Sequence, residues 1–208
     1  MIRSSNHCGE QVDNWTEWLV ENLASTIVGN KPSTILTMAD TRTLPLLTIW
    51  RCAGLSVLSG MIIHFKILSK SAKKETVLFY REDILTNCIN DRGNRSFLQT
   101  MGYPVDSGLH ACLEVLEERF QGCCPHEVGV LLGIPLKDVL GFMQVSDLPL
   151  TCRRHWCIYG NPEESLAIMQ QYLNDQSYVC RLMAKGLPPY QILCGQWNKD
   201  FYSTTLAS

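Results

Sequence analysis

Two short segments carry the side chains best suited to chemistry: Cys123-Cys124-Pro125-His126-Glu127 and Cys152-Arg153-Arg154-His155-Trp156-Cys157. Thiolates and imidazoles are the usual ligands of structural zinc, and a Cys and a His three residues apart on a loop leading into a strand can reach one ion. Cys124 with His126 and Cys152 with His155 are therefore two half-sites. They make a four-ligand set for zinc or iron if the fold brings them together. Packed thiols and hydrogen-bonded imidazoles are the competing use, because irregular half-sites specify less than paired CxxC knuckles. His126 and Glu127 are residue types that serve as acid and base when held against a substrate. Arg153 and Arg154 beside Trp156, with Tyr159 just beyond, are suited to gripping an anionic ligand by bidentate hydrogen bonds or aromatic stacking, against a competing use as a solvated loop.

The segment CPHEVGVLLGIPLKDVLGFM (124–143) admits three readings. His126-Glu127 opens a zinc-protease HExxH pattern, but position 130 is Val, so the second ligand is missing and that reading is rejected. Two short helices about Gly133 resemble a helix-turn-helix. The second of them, however, offers Lys137 and Asp138 and no Arg, Asn or Gln before Gln144, which leaves little to contact bases or phosphates. The third reading is structural. Pro125 suits a first helical position and Glu127 the positive end of a helix dipole, where a Cys124 thiolate would also be favoured.

The elements that must position these residues follow from periodicity. Trp18, Leu19, Leu23, Ile27 and Val28 recur at helical spacing over 15–28, with Gly29-Asn30 as the stop. Ser33 to Met38 reads as a strand, and 43–53 as a helix ended by Gly54. The apolar runs 61–68 and 76–80 flank SKSAKKE and read as an antiparallel hairpin. Helices are expected over 81–89, 95–101 and 107–120, the last capped by Asp106 or Ser107. Beyond the central motif come a polar loop over 146–154, a strand over 155–159, helices over 162–173 and 178–185, and a frayed polar tail.

At 208 residues, with 46% hydrophobic and 18% charged residues, the chain has the makings of one core. A formal charge of -2 supplies no long-range pull on phosphate backbones or anionic lipid. The apolar stretch 44–65 holds Arg51 near its centre, and a charge at mid-bilayer costs roughly 2.5 to 3.5 kcal/mol, so no membrane span is expected. The N-terminal residues lack the apolar core of a signal peptide, which points to the cytoplasm and to reduced thiols for the ten cysteines. Cys52, Cys88 and Cys112 lie in apolar helical patterns and are expected to pack as small hydrophobes.

Residues His126–Met143, with the sequence HEVGVLLGIPLKDVLGFM, match the pattern HExGxxLGxPxxDVxGF of a family of bacterial proteins grouped as domain of unknown function 3793. Trp156-Cys-Ile-Tyr-Gly160 matches its W-x-x-YG, and Tyr178, Arg181 and Gly186 support the resemblance near the C-terminus. The chain resembles this family over most of its length, which implies its fold and brings no activity with it. One departure is informative: where the family pattern has CxxCW, this chain has Cys152-Arg-Arg-His155-Trp156, which keeps ligand capacity but removes a CxxC dithiol.

Together these readings predict an α+β fold, with a small mixed or antiparallel sheet from strands near 33, 61, 75 and 155 covered by helices. One domain over 1–195 and a tail over 196–208 are expected. The leading functional expectation is a cytosolic accessory protein that binds a ligand or a metal between the 123–127 helix start and the 152–157 loop, with a protein or small molecule as partner. A small-molecule enzyme using His126 and Glu127, and a helix-turn-helix regulator over 126–143, are the alternatives.

Overall fold

The computed structural model describes residues 3–197, with side chains from residue 9 onward. Helix α1 (Arg3–Ile27) buries Trp15, Leu19, Val20, Leu23 and Ile27 along one stripe. Strand β1 (Ser33–Met38) then pairs antiparallel with β3 (Glu75–Tyr80), and β3 pairs antiparallel with β2 (His64–Lys70), giving the order β1-β3-β2. The expected hairpin is present, with a register slip between Ile67 and Ser69.

Side chains alternate across a strand, so the central strand feeds two hydrophobic clusters. Val77 and Phe79 enter one with α1, and Leu78 enters the other. The sheet is thus a middle layer between two helical layers. The second layer holds α4 (Glu82–Asn90), α5 (Arg92–Thr100), α6 (Leu109–Phe120), α7 (Val128–Leu131) and α8 (Leu136–Phe142). The first is completed by α9 (Glu163–Ala184) and α10 (Pro189–Leu193), which return to α1. The fold is α+β. None of the described helices is long and apolar enough to cross a membrane.

Several local expectations are corrected. The helix expected to stop at Gly54 instead runs as α2 (Leu46–Ile49), a π turn (Trp50–Gly54) and α3 (Leu55–Leu58), because Gly54 keeps helical φ and ψ. A Cβ on Gly54 would lie 2.4 Å from the Trp50 ring, so its absence makes room for that indole. The indole N–H donates to Glu75 Oε2 at 2.8 Å, and Arg51 Nε donates to Glu75 Oε1 at 2.8 Å. Glycine here serves packing where it was read as a stop.

Helix α6 takes neither Asp106 nor Ser107 as its cap. Gly108 at φ 89° precedes it, and Asp106 accepts from Arg95 and Gln99 instead. The polar loop contains β4 (Leu150–Arg153), which pairs with β5 (Cys157–Tyr159) in a separate two-stranded sheet, so the strand near 155 does not join the main one. The two C-terminal helices are one, since the polar run 174–177 has no Gly or Pro and Asp175 within it is buried. Cys112 is buried and Cys88 half-buried as expected, whereas Cys52 is exposed. The tail expected over 196–208 lies outside the described residues from 198 onward.

Just beyond the end of α1, Gly29 lies against α9: a Cβ there would be 2.0 Å from Asp175 Oδ2 and 2.8 Å from the Ser25 carbonyl oxygen. Gly29→Ala is expected to cost roughly 1–3 kcal/mol through overpacking, measured by urea denaturation. Gly122→Ala, whose Cβ would meet nothing nearer than the Arg119 carbonyl oxygen at 4.0 Å, should leave the midpoint within error.

Candidate functional site

The most densely bonded side chain in the central motif is Asp138, fully buried in the first turn of α8. Its Oδ1 accepts from Lys137 Nζ and from the Tyr159 backbone N–H, each at 2.8 Å. Its Oδ2 accepts from the Trp156 indole N–H at 2.8 Å and from the Ser165 hydroxyl at 2.6 Å. Lys137 also donates to Ser165 Oγ at 2.8 Å and to the Tyr159 carbonyl oxygen at 3.1 Å. Burial acts to raise the Asp138 pKa, but the bonds from Lys137, Ser165, Tyr159 and Trp156 outweigh it and hold the carboxyl below its ordinary value. One turn on, a Cβ at Gly141 would lie 2.3 Å from Tyr159 Cγ, so the Tyr159 ring rests on bare backbone. Asp138 and Gly141 thereby fasten α8 to β5 at two points.

The sequence-predicted residues part company in this frame. Among the described residues no three His, Cys, Asp or Glu side chains are grouped so that they could hold a metal ion. Cys124, His126, Cys152 and His155 form no such group among the described residues. His126 is exposed, with its ring edge-on to Phe142 at 5.0 Å, while Glu127 turns inward. Glu127 Oε1 accepts from the Tyr103 hydroxyl at 3.2 Å and from Arg119, whose guanidinium lies 4.8 Å over the Tyr103 ring and also donates to the Met101 carbonyl oxygen. Burial, and then the Glu127 charge, hold Tyr103 far above the ordinary tyrosine range. This pair ties the start of α7 to α6, with Glu127 buried and His126 exposed. Cys124 is not the thiolate expected at a helix start: burial and its neighbours Cys123 and Glu127 push its thiol up, and α7 begins only at Val128.

In the second segment, Arg153 is exposed and reaches Cys157 Sγ at 3.6 Å, and Tyr159 is held by Asp138 and Gly141. His155 and Trp156 do border a cleft of about 340 Å³. Its other walls are Glu21, Asn22 and Ser25 of α1, Lys31 and Thr34, Leu132 and Ile134 of the turn between α7 and α8, and Tyr172, Leu173 and Gln176 of α9. The walls are fixed by bonds between elements. Ser25 Oγ donates to the Tyr172 carbonyl oxygen at 3.0 Å, Ser33 Oγ to the Leu131 carbonyl oxygen at 2.6 Å, and Tyr172 Oη to the Gly133 carbonyl oxygen at 3.3 Å. Gly133 is required twice over, by φ 78° and by a Cβ that would lie 2.4 Å from Tyr172 Oη and 2.7 Å from Pro32.

Lys31 and Glu21 are the oppositely charged side chains that border this cleft. The Lys31 Nζ stands 5.3 Å from the centre of the Tyr172 ring, and among the described residues no carboxylate lies within ion-pair distance of it. Burial pushes its pKa down. Sequence reasoning missed Lys31, Glu21 and Tyr172, since a lone lysine between a helix stop and Pro32 reads as a solvated loop charge. The one signal was positional: a cation held between Gly29-Asn30 and Pro32 has little freedom to withdraw.

The profile of a family described as a protein of unknown function (DUF3793) matches residues 19–193. The chain belongs to the DUF3793 family. No curated protein and no solved structure matches it. The DUF3793 motif residues quoted from the sequence now have structural work: Gly133 closes one wall of the cleft, and Asp138, Gly141, Trp156 and Tyr159 form the joint that carries His155 to its edge.

Removing one partner of a buried charge network leaves the others unpaired, so Asp138→Asn is expected to cost roughly 3–5 kcal/mol in urea denaturation. The pKa direction adds a sign. A carboxyl held lower in the folded chain contributes stability above the unfolded aspartate value of about 3.9 and loses it as pH falls through the folded value. The wild-type chain should therefore show an acid-side loss that Asp138→Asn lacks.

Proposed function

We propose that this DUF3793 protein binds a small acidic molecule in the cleft between α1, α9 and the β4–β5 turn, with Lys31 as the charged anchor. The observation that carries this reading is the Lys31 ammonium, half-buried in a concave site with no carboxylate partner among the described residues. Desolvating a charge is costly unless something pairs with it. A cation pre-positioned in a cleft is stabilised when an anion arrives, and a charge-assisted hydrogen bond there is worth more than one in open solvent. The Trp156 indole, fixed by Asp138, supplies an aromatic wall, and Asn22, Gln176 and His155 supply polar groups at the rim. A binding role in the cytosol is part of the proposal, supported by the described cysteines standing as free thiols, the state a reducing compartment maintains.

The test is an NMR titration of the isotope-labelled full chain with butanoate and with inorganic phosphate. Saturable shifts at Lys31, Thr34, Tyr172 and the Trp156 indole N–H are expected, and Lys31→Met should weaken binding about tenfold or more. Shifts scattered over surface lysines and unchanged by Lys31→Met would sink the reading. Lys31→Met should leave thermal stability unchanged or raised, because it removes a desolvated charge. Affinity should fall as pH rises through the lowered Lys31 value, earlier than for an anion held by an ordinary surface lysine.

A further inference from the structure

A second groove of about 480 Å³ borders the Lys31 cleft, and His155 and Leu173 line both. Its floor is a stripe of α9 made by Leu166, Met169 and Leu173, with Gln170 and Arg154 beside it. These positions follow the helical repeat that gives one face, yet Leu166 and Leu173 stay 43% and 42% exposed. Elsewhere α9 buries Ser165 against Asp138 and Tyr178 and Val179 in the core. Met169 between Leu166 and Leu173 is buried, so the helix leaves two leucines of the stripe open, next to a cation-bearing cleft.

We propose that the ligand is an amphipathic acid, with its carboxylate at Lys31 and a linear hydrocarbon chain laid along Leu173, Met169 and Leu166. This rests on the cleft reading above and names the class of molecule that fits it. The polar cleft alone would accept any small anion, and the apolar groove alone any grease. Their junction at His155 and Leu173 selects a molecule that is charged at one end and apolar over the rest. At a rise of 1.5 Å per residue, Leu166 to Leu173 spans about 10 Å, which suits a chain of about eight to ten carbons. A second copy of the chain seated on the stripe would cover the leucines, and the variants below separate that outcome from binding of an acid. An acid satisfies both features together.

The experiment is calorimetric titration of the full chain with butanoate, hexanoate, octanoate and decanoate below their micelle concentrations, with octanol as the headless control. Affinity is expected to rise about fourfold per added methylene, the gain for burying that much apolar surface, and octanol should bind far more weakly than octanoate. Leu166→Asp, at an exposed position outside the Lys31 cleft and checked for folding by circular dichroism, should flatten the chain-length dependence to the butanoate level, whereas Leu173→Asp, which lines both the groove and the cleft, should also weaken butanoate. Lys31→Met should weaken every acid by a similar factor and keep the dependence on length.

A flat series from butanoate to decanoate overturns the acyl-chain assignment. If butanoate still binds and still responds to Lys31→Met, the cleft reading survives that failure. Equal binding of octanol and octanoate overturns the acid head. Loss of a dimer on Leu173→Asp in sedimentation, without any chain-length effect, assigns the stripe to self-association and overturns the proposal. If none of the acids binds, the cleft reading fails as well.

Discussion

A carboxylate with no access to water must find its hydrogen bonds inside the protein, and Asp138 finds four, from four different residues. The donors come from α8 itself, from both ends of the Trp156–Tyr159 stretch and from the first turn of α9. A single side chain thus links three elements, α8, β5 and α9. Such a network is demanding, because each donor has few alternative partners once buried, and so it tolerates only one arrangement of the hairpin. The location of His155 and Trp156 at the cleft follows from that constraint.

The cleft forms where two helical layers fail to close. Helix α9 packs along α1 toward its C-terminal end, where Val179 joins the first cluster, while its N-terminal end is drawn toward α8 by Ser165. Between these two attachments, Tyr172 bridges to Gly133 and Leu173 is left facing outward. Lys31, in the three-residue connection between the Gly29–Asp175 approach and β1, has nowhere to go but this gap. Concavity and charge coincide because the same turn produces both.

Much of the fold was legible in the sequence wherever local pattern and tertiary burial agree. Strand 33–38 and the hairpin across SKSAKKE are apolar, β-branched runs bounded by turn residues, and the structure keeps them. The misreadings share a different cause. Gly54 and the polar run 174–177 look like breaks only if a glycine or an aspartate is taken for what it does locally. Here the absent Cβ of Gly54 admits the Trp50 ring, and Asp175 is polar yet buried against Gly29. For the site, the aromatic and histidine of Trp156 and His155 were visible by type. The spacing of the cysteines says nothing about convergence, and Lys31 was invisible because its place beside Tyr172 depends on α9, which lies far from it in sequence.

The two clusters on either face of the sheet differ in how the chain visits them. The second draws its buried members from Leu68 to Val139, one continuous stretch. The first begins at Trp15 and is finished only by Val179, Ile192 and Leu193. As the chain leaves the ribosome, the inner stretch can condense while α1 still waits for the partners that cover it, since contacts distant in sequence are the slow ones to form. The part of the α1 face that packs on Val179, Ile192 and Leu193 is therefore the last of the first cluster to be covered.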